Sequence, residues 1–201
     1  ELKGRVGLIS EMRDSVGLTL LSQGIDITSE ESLTEDAFNA AVEFIAAQVS
    51  SGQIFNIKGN SYGEDLTNGN IIVALAWSGD TTILNAEVGE DRFGFVVPDT
   101  GSTISSDSFV VPMGSAHKKN AEALINYYYD PVNAAELAAY VNYVTPVVGA
   151  KEEMLKTDPE LAENPLIFPS EEFLANVHAF RALTGQEEQR FATAWQNVLL
   201  G

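Results

Sequence analysis

The sequence predicts an α/β fold, and two observations carry that expectation. Short apolar runs bounded by Gly, Pro, Asn and Ser alternate with stretches of helical periodicity, and one run, Ile71 to Ala76, is apolar without interruption. Between Gly69-Asn70 and Ser78-Gly79 such a run reads as a strand covered on both faces, the middle of a sheet. With 201 residues, 45% of them hydrophobic, the chain is long enough for one large domain or two small ones around a real core.

Taken in order, Arg5 to Ile9 is a first strand. Ser10 then caps a helix running to Gln23, with Val16 and Leu20 at helical spacing and Gly24 as its stop. Ser32 and Glu35 have capping-box spacing ahead of Phe38, Ala41, Val42, Ile45 and Val49, a stripe that predicts an amphipathic helix ending at Ser51-Gly52. Ile54 to Ile57 is a short strand, 61–68 a helical turn, 69–80 the central strand, and Phe93 to Val97 a further strand stopped by Pro98. After the Gly/Ser/Thr-rich crossing 99–106, Ser108 to Val111 reads as a strand and Lys118 to Tyr129 as a helix. Asp130-Pro131 restarts a helix through Val141, because Pro at a first helical turn removes only an N–H that has no helical partner. Helices near 150–155, after Ser170, and over 186–199 with Phe191, Trp195 and Val198 complete the pattern.

Charge excludes some partners. With 29 acidic against 11 basic residues the net charge is −18, which repels nucleic acid and anionic membrane surfaces and favours cationic partners only weakly, since such charge also simply solubilises. The absence of cysteine rules out disulfides and thiolate chemistry. His117 and His178 are far apart in sequence and neither has an acid or Cys at metal-ligand spacing, and no phosphate-cradling glycine loop of standard spacing occurs, so neither a metal nor a nucleotide cofactor is expected. The chain opens at Glu1 almost directly into a strand, as the later part of a longer protein would.

Candidate functional residues lie at strand ends. Trp77 and Asp80 leave the carboxyl end of the central strand, where open α/β sheets place ligands, and an aromatic face beside a carboxylate suits a small organic cation. A buried indole next to a helix-capping acid would look the same. Glu11 and Asp14 open the first helix, Asp107 begins the strand after the crossing, and Tyr143 follows the helix that ends at Val141. Acids in first turns complement the helix dipole, but these four acids with Trp77 and Tyr143 could equally wall a negative, aromatic box for an amine. Paired carboxylates also serve glycoside hydrolysis, although no nucleophile-base pair and no metal motif accompanies them here.

The ordered set of motifs Leu2-Lys3-Gly4-Arg5-Val6-Gly7, the WSGD ending at Asp80, Asp107 to Pro112, the NAEALINYYY of Asn120 to Tyr129, Asp130-Pro131 and Tyr143-Val144-Thr145-Pro146 resembles the spermidine/putrescine-binding proteins of bacterial ABC importers. That resemblance implies a periplasmic-binding-protein-like fold of type II: two α/β lobes joined by crossing segments, a mixed sheet in each flanked by helices, and a ligand held between them. It places 1–103 and 144–201 in the second lobe and 104–143 in the first, whose opening sequence would lie upstream of Glu1. The helices of 104–143 would then need a missing segment or a neighbouring copy against their apolar side. It also implies a binding role without catalysis, a polyamine or related cationic solute as ligand, permease subunits as partners, no cofactor, and a periplasmic or extracellular location, with any anchor at the absent N-terminus. Among its ligand residues, Trp77 matches the indole against the methylenes, Asp80 the putrescine-type carboxylate, Glu11 and Asp14 the acids after the first strand of this lobe, Asp107 the amine-binding Asp, and Tyr143 the Tyr near the crossing. Ser105 departs from the pattern, standing where the polyamine binders carry a second Trp, and Arg181 lies near the late polar position. A binding protein for another small metabolite and a carboxylate-pair hydrolase are the alternatives.

Overall fold

In the computed structural model, which describes residues 2–201, β1 (Val6–Ile9) is the strand with neighbours on both sides. β2 (Ile54–Lys58) pairs with it in parallel on one edge, and β3 (Val73–Ala74) in parallel on the other. The uninterrupted apolar run therefore supplies an edge and not the middle of the sheet. Ile71 is buried, but Ile72 and Val73 are 49% and 46% exposed, and only a few backbone bonds, Ile72 N to Arg5 O and Leu75 N to Gly7 O among them, tie the run to β1. A continuous apolar pattern records what a segment can tolerate on both faces, and the number of neighbours it finds decides its place. Beside an irregularity in the β1–β2 register, Gly7 leaves room for Ile71: a Cβ there would sit 2.8 Å from the Ile71 Cδ1.

α1 (Met12–Ser22) and α2 (Glu35–Ser50) cover this sheet. On α2 the residues Phe38, Ala41, Val42 and Ile45 are buried, the spacing of one helical face. The capping residue is Thr34, whose hydroxyl accepts from Ala37 N, so the Ser32–Glu35 box expected from sequence gives way to a cap two residues later. α1 likewise begins after Glu11 and not after Ser10, and Glu11 makes no side-chain cap. Ser15, fully buried, donates to Ile9 O and locks α1 to the end of β1. α3 (Tyr62–Thr67) fills the connection from β2, with Tyr62 buried against Ile9 and Ile71.

α4 (Ser78–Val88) follows β3 and ends at Gly89 in the left-handed region. β4 (Ser102–Thr103) and β5 (Val177–His178) form a second, two-stranded parallel sheet with Thr103 opposite His178. Strands expected over 93–97 and 108–111 are absent, both segments being irregular and without ladder partners among the described residues. Every strand pairing described is parallel, where a mixed sheet was expected.

The remaining helices are α5 (Lys118–Tyr128), α6 (Pro131–Val141), α7 (Ala150–Thr157), α8 (Pro159–Ala162), α9 (Glu171–Ala175) and α10 (Gly185–Leu200). Asp130 caps α6 and Thr184 forms a capping box with Glu187 on α10. Phe191 and Trp195, four residues apart on α10, are buried, and Phe191 stacks on Phe38 with ring centroids 3.8 Å apart.

Two compact units result. One comprises Glu1–Trp77, Leu84–Ser105 and Ala175–Gly201; its main core joins α1, α2 and α10 and includes Val16, Leu20, Phe38, Ile45, Phe191 and Trp195. The other comprises Ser78–Ile83 and Ser106–Leu174, with its core formed by Ala134, Ala135 and Ala138 of α6 against Ala150 and Met154 of α7, Ala162 of α8 and Ile167. Residues 144–174, expected to return to the second lobe, thus pack within the same unit as 106–143. No helix among the described residues is long and apolar enough to cross a membrane.

Candidate functional site

In the first unit, the carboxyl ends of three parallel strands lie along one edge of the sheet. β1 runs into Ser10 and Glu11, β2 into Gly59 and Asn60, and β3 through Leu75 and Ala76 into Trp77. This is the edge at which parallel sheets gather ligand-binding groups. Trp77 is half-buried there. Its backbone N–H donates to the Tyr62 hydroxyl at 2.9 Å and its indole N–H donates to Asn60 Oδ1 at 3.2 Å, so the ring is held by its edge. Trp195 reaches the same neighbourhood from below, donating its indole N–H to Ser10 O at 2.7 Å.

Glu11 accepts from the Ser10 hydroxyl at 3.3 Å, and Asp14 accepts from the Thr103 hydroxyl at 2.8 Å. Partial burial raises the Asp14 carboxyl above its ordinary 3.8; the Thr103 bond opposes the shift, Glu11 adds to it, and Arg13 opposes it. Burial is thus the leading cause of the shift at Asp14, with Thr103 and Arg13 both favouring the charged form.

In the second unit, Asp80 occupies the first turn of α4 and accepts from the Tyr143 hydroxyl at 2.9 Å. Burial, then the bond to Asp80 and its charge, push the Tyr143 phenol well above its ordinary 10.0, so Tyr143 stays a donor at neutral pH. The approach depends on Gly79, where a Cβ would lie 2.8 Å from Val141 O, 2.9 Å from Asn142 O and 3.0 Å from Tyr143 Cε1. Asn142, at φ 59°, turns the chain out of α6 in the left-handed region that Asn tolerates. Asp107 is exposed on the irregular segment before α5.

The structure accordingly brings Asp80 to Tyr143 in one unit, and sets Glu11, Asp14 and Trp77 around one sheet edge and its first helix in the other. Asn60 and Thr103 were not singled out from sequence. Asn60 was within reach, because it lies two residues past a strand that ends at the same sheet edge as Trp77; Thr103 sits in a Ser/Thr-rich crossing that gives no hint of its contact with α1. Among the described residues no cluster of three or more His, Cys, Asp and Glu could hold a metal ion.

Fold and site together define a two-unit α/β protein with acidic and aromatic groups at a parallel sheet edge. The family model for bacterial extracellular solute-binding proteins matches residues 1–169, and the chain belongs to that family. It is 24% identical over 179 residues to the spermidine/putrescine-binding periplasmic protein 1 of Haemophilus influenzae, covering 89% of this chain and 47% of that protein. It is 28% identical over 152 residues to a putrescine-binding periplasmic protein of Escherichia coli, covering 71% of this chain and 39% of that one. Two solved structures share the fold: a spermidine/putrescine ABC transporter substrate-binding protein from Streptococcus pneumoniae (TM-score 0.76, 21% identity, 99% of this chain and 58% of that one), and the TpPotD lipoprotein of Treponema pallidum (TM-score 0.79, 18% identity, 100% and 59%). The chain spans about half the length or less of these curated relatives.

Proposed function

We propose that this chain is part of the solute-binding component of an ABC importer and that its ligand is a polyamine or a related small cationic solute, carried to a membrane permease without catalysis. The observation that carries the reading is the edge-held indole of Trp77 on the same sheet edge as Glu11, with the half-buried Asp14 carboxylate in the first turn of α1. An indole face attracts the methylenes and charge of an amine, and an ammonium group makes a charge-assisted hydrogen bond to a half-buried carboxylate. Asp80 with its Tyr143 donor, and Asp107, are proposed as further amine contacts. The polyamine names of the relatives agree with this chemistry. Location in the periplasm or outside the cell follows from the same reading, since the curated relatives are periplasmic proteins.

The lobe division is part of the proposal. The first unit is taken as the second lobe, and 106–143 as a first-lobe segment, joined by 144–174 that packs with it. α5 has no buried residue, and Leu124, Tyr127 and Tyr140 stand 69%, 64% and 83% exposed. A first-lobe segment outside this sequence is proposed to cover them, in keeping with the half-length match to the relatives.

The test is calorimetric titration of putrescine and spermidine into the full-length protein that contains this chain. Asp14→Asn and Asp80→Asn should each weaken binding by about 1.5–3 kcal/mol, the range for hydrogen bonds to charged groups. Asp107→Asn, at an exposed position, should cost less, about 0.2–1 kcal/mol. Unchanged affinity in all three variants would place the ligand elsewhere.

A further inference from the structure

We propose that Thr103, seated on α1 by Gly17, is the residue that orients the Asp14 carboxylate, so that the crossing strand β4 and this acid act as one piece. Three contacts carry the assignment. The Thr103 hydroxyl donates to Asp14 Oδ1 at 2.8 Å and so fixes which carboxylate oxygen is turned to β4. Gly17 lies three residues after Asp14 on the same face of α1, and a Cβ there would meet Thr103 Cγ2 at 3.0 Å and Phe180 Cδ2 at 3.3 Å. The small residue therefore lets the Thr103 methyl rest on the helix while its hydroxyl reaches the acid one turn earlier. Finally, β4 is held in register by β5, Thr103 standing opposite His178, with Ser102 N donating to Asn176 O and Ile104 N to His178 O.

The consequence for ligand binding rests on the amine reading given above. A carboxylate held by one oxygen presents its other oxygen in a fixed direction, and less rotamer freedom is lost when an ammonium group docks. The charged and titratable groups around Asp14 are Glu11 just before its helix and Arg13 on it, Glu188 of α10 paired with Arg13, and the His178 imidazole of β5 opposite Thr103. None of these donates a hydrogen bond to Asp14; Thr103 does.

The experiment uses the full-length protein and two variants. Thr103→Val keeps the β-branched shape and the methyl on Gly17 but removes the donor, and Thr103→Ser restores the donor. The Asp14 carboxyl is titrated by carbon NMR without ligand. Loss of a hydrogen bond made to the charged form should move its midpoint upward in Thr103→Val, and Thr103→Ser should bring it back. Putrescine affinity at neutral pH should fall about three- to tenfold in Thr103→Val and recover in Thr103→Ser, equivalent to roughly 0.7–1.4 kcal/mol. An unmoved Asp14 midpoint with intact putrescine binding overturns the role of Thr103 and leaves the amine reading standing. A midpoint that moves and recovers as expected, in a wild-type protein that takes up no putrescine, supports Thr103 as the orienting residue and sinks the amine reading.

Discussion

Asp65 is buried in the short helix α3, and three side chains converge on its carboxylate: Lys58 Nζ at 2.6 Å, Asn56 Nδ2 at 2.8 Å and Asn70 Nδ2 at 3.0 Å. These bonds, the Lys58 contact foremost, hold its pKa down at about 2 against an ordinary 3.8. Because the folded value lies below the ordinary one, the group contributes stability above about pH 4, and that contribution drains away as the pH falls from there through 2. Glu187, held at about 2 by Arg181 and by the capping bonds of Thr184, acts in the same direction. The urea midpoint should therefore fall between pH 4.5 and pH 2, and Asp65→Asn should lower it at pH 7 while making that acid decline shallower. Parallel acid limbs in the two proteins would show that Asp65 ionisation is not linked to folding. Nothing in the sequence marks Asp65. An acid in a helical turn reads as solvated, and its three partners come from a strand and a loop that only the folded chain brings together.

At the scale of elements, the contact between the start of α4 and the end of α6 turns on a single hydrogen atom at Gly79. Two of the atoms a methyl would meet are backbone carbonyl oxygens, which cannot swing aside as a side chain tip can. Gly79→Ala should cost about 1–3 kcal/mol in denaturant unfolding of the full-length protein. Gly185→Ala is the control, since it begins α10 with open space around it and should be neutral or stabilising by up to about 1 kcal/mol. Equal effects at the two positions would mean that the close approach at Gly79 relaxes at little cost. Most of the longer helices were legible in the sequence to within a residue or two, because their apolar spacing and caps are local: α5, α6 and α10 fall where Lys118, Asp130-Pro131 and the Phe191–Trp195 pair put them, whereas α4, which starts inside the stretch read as strand through Asp80, was missed. Strands were less so. Ile71 to Ala76 and Phe93 to Val97 have equally strand-like composition, yet only the first finds β1 beside it, and a strand exists by virtue of a neighbour that periodicity does not name. The candidate site followed the same rule: Tyr143 and Asp80 were each visible as strand-end or helix-end residues, while the hydrogen bond joining them came from Gly79 and the left-handed Asn142.

For the whole molecule, the half-length match to its relatives and the uncovered side chains of α5 and α6 bear on how strongly this chain can hold a ligand by itself. If the full-length protein supplies further amine contacts and excludes water from the ion pairs, those contacts strengthen as the local dielectric falls. The 201-residue chain alone should then bind putrescine at least about a hundredfold more weakly than the full-length protein, roughly 2.7 kcal/mol. Equal affinity would mean that residues 1–201 already form the complete binding unit. The two tryptophans provide the means of measuring this without any label. Trp195, 3% exposed and bonded to Ser10 O, is shielded from solvent and should emit at the shorter wavelength. Trp77, half-buried at the sheet edge, should emit further to the red and, on the proposed amine reading, should respond to an arriving cation. On that reading one indole serves as a reference lamp and the other as a sensor, and Trp77→Phe should leave an emission spectrum that polyamine no longer changes.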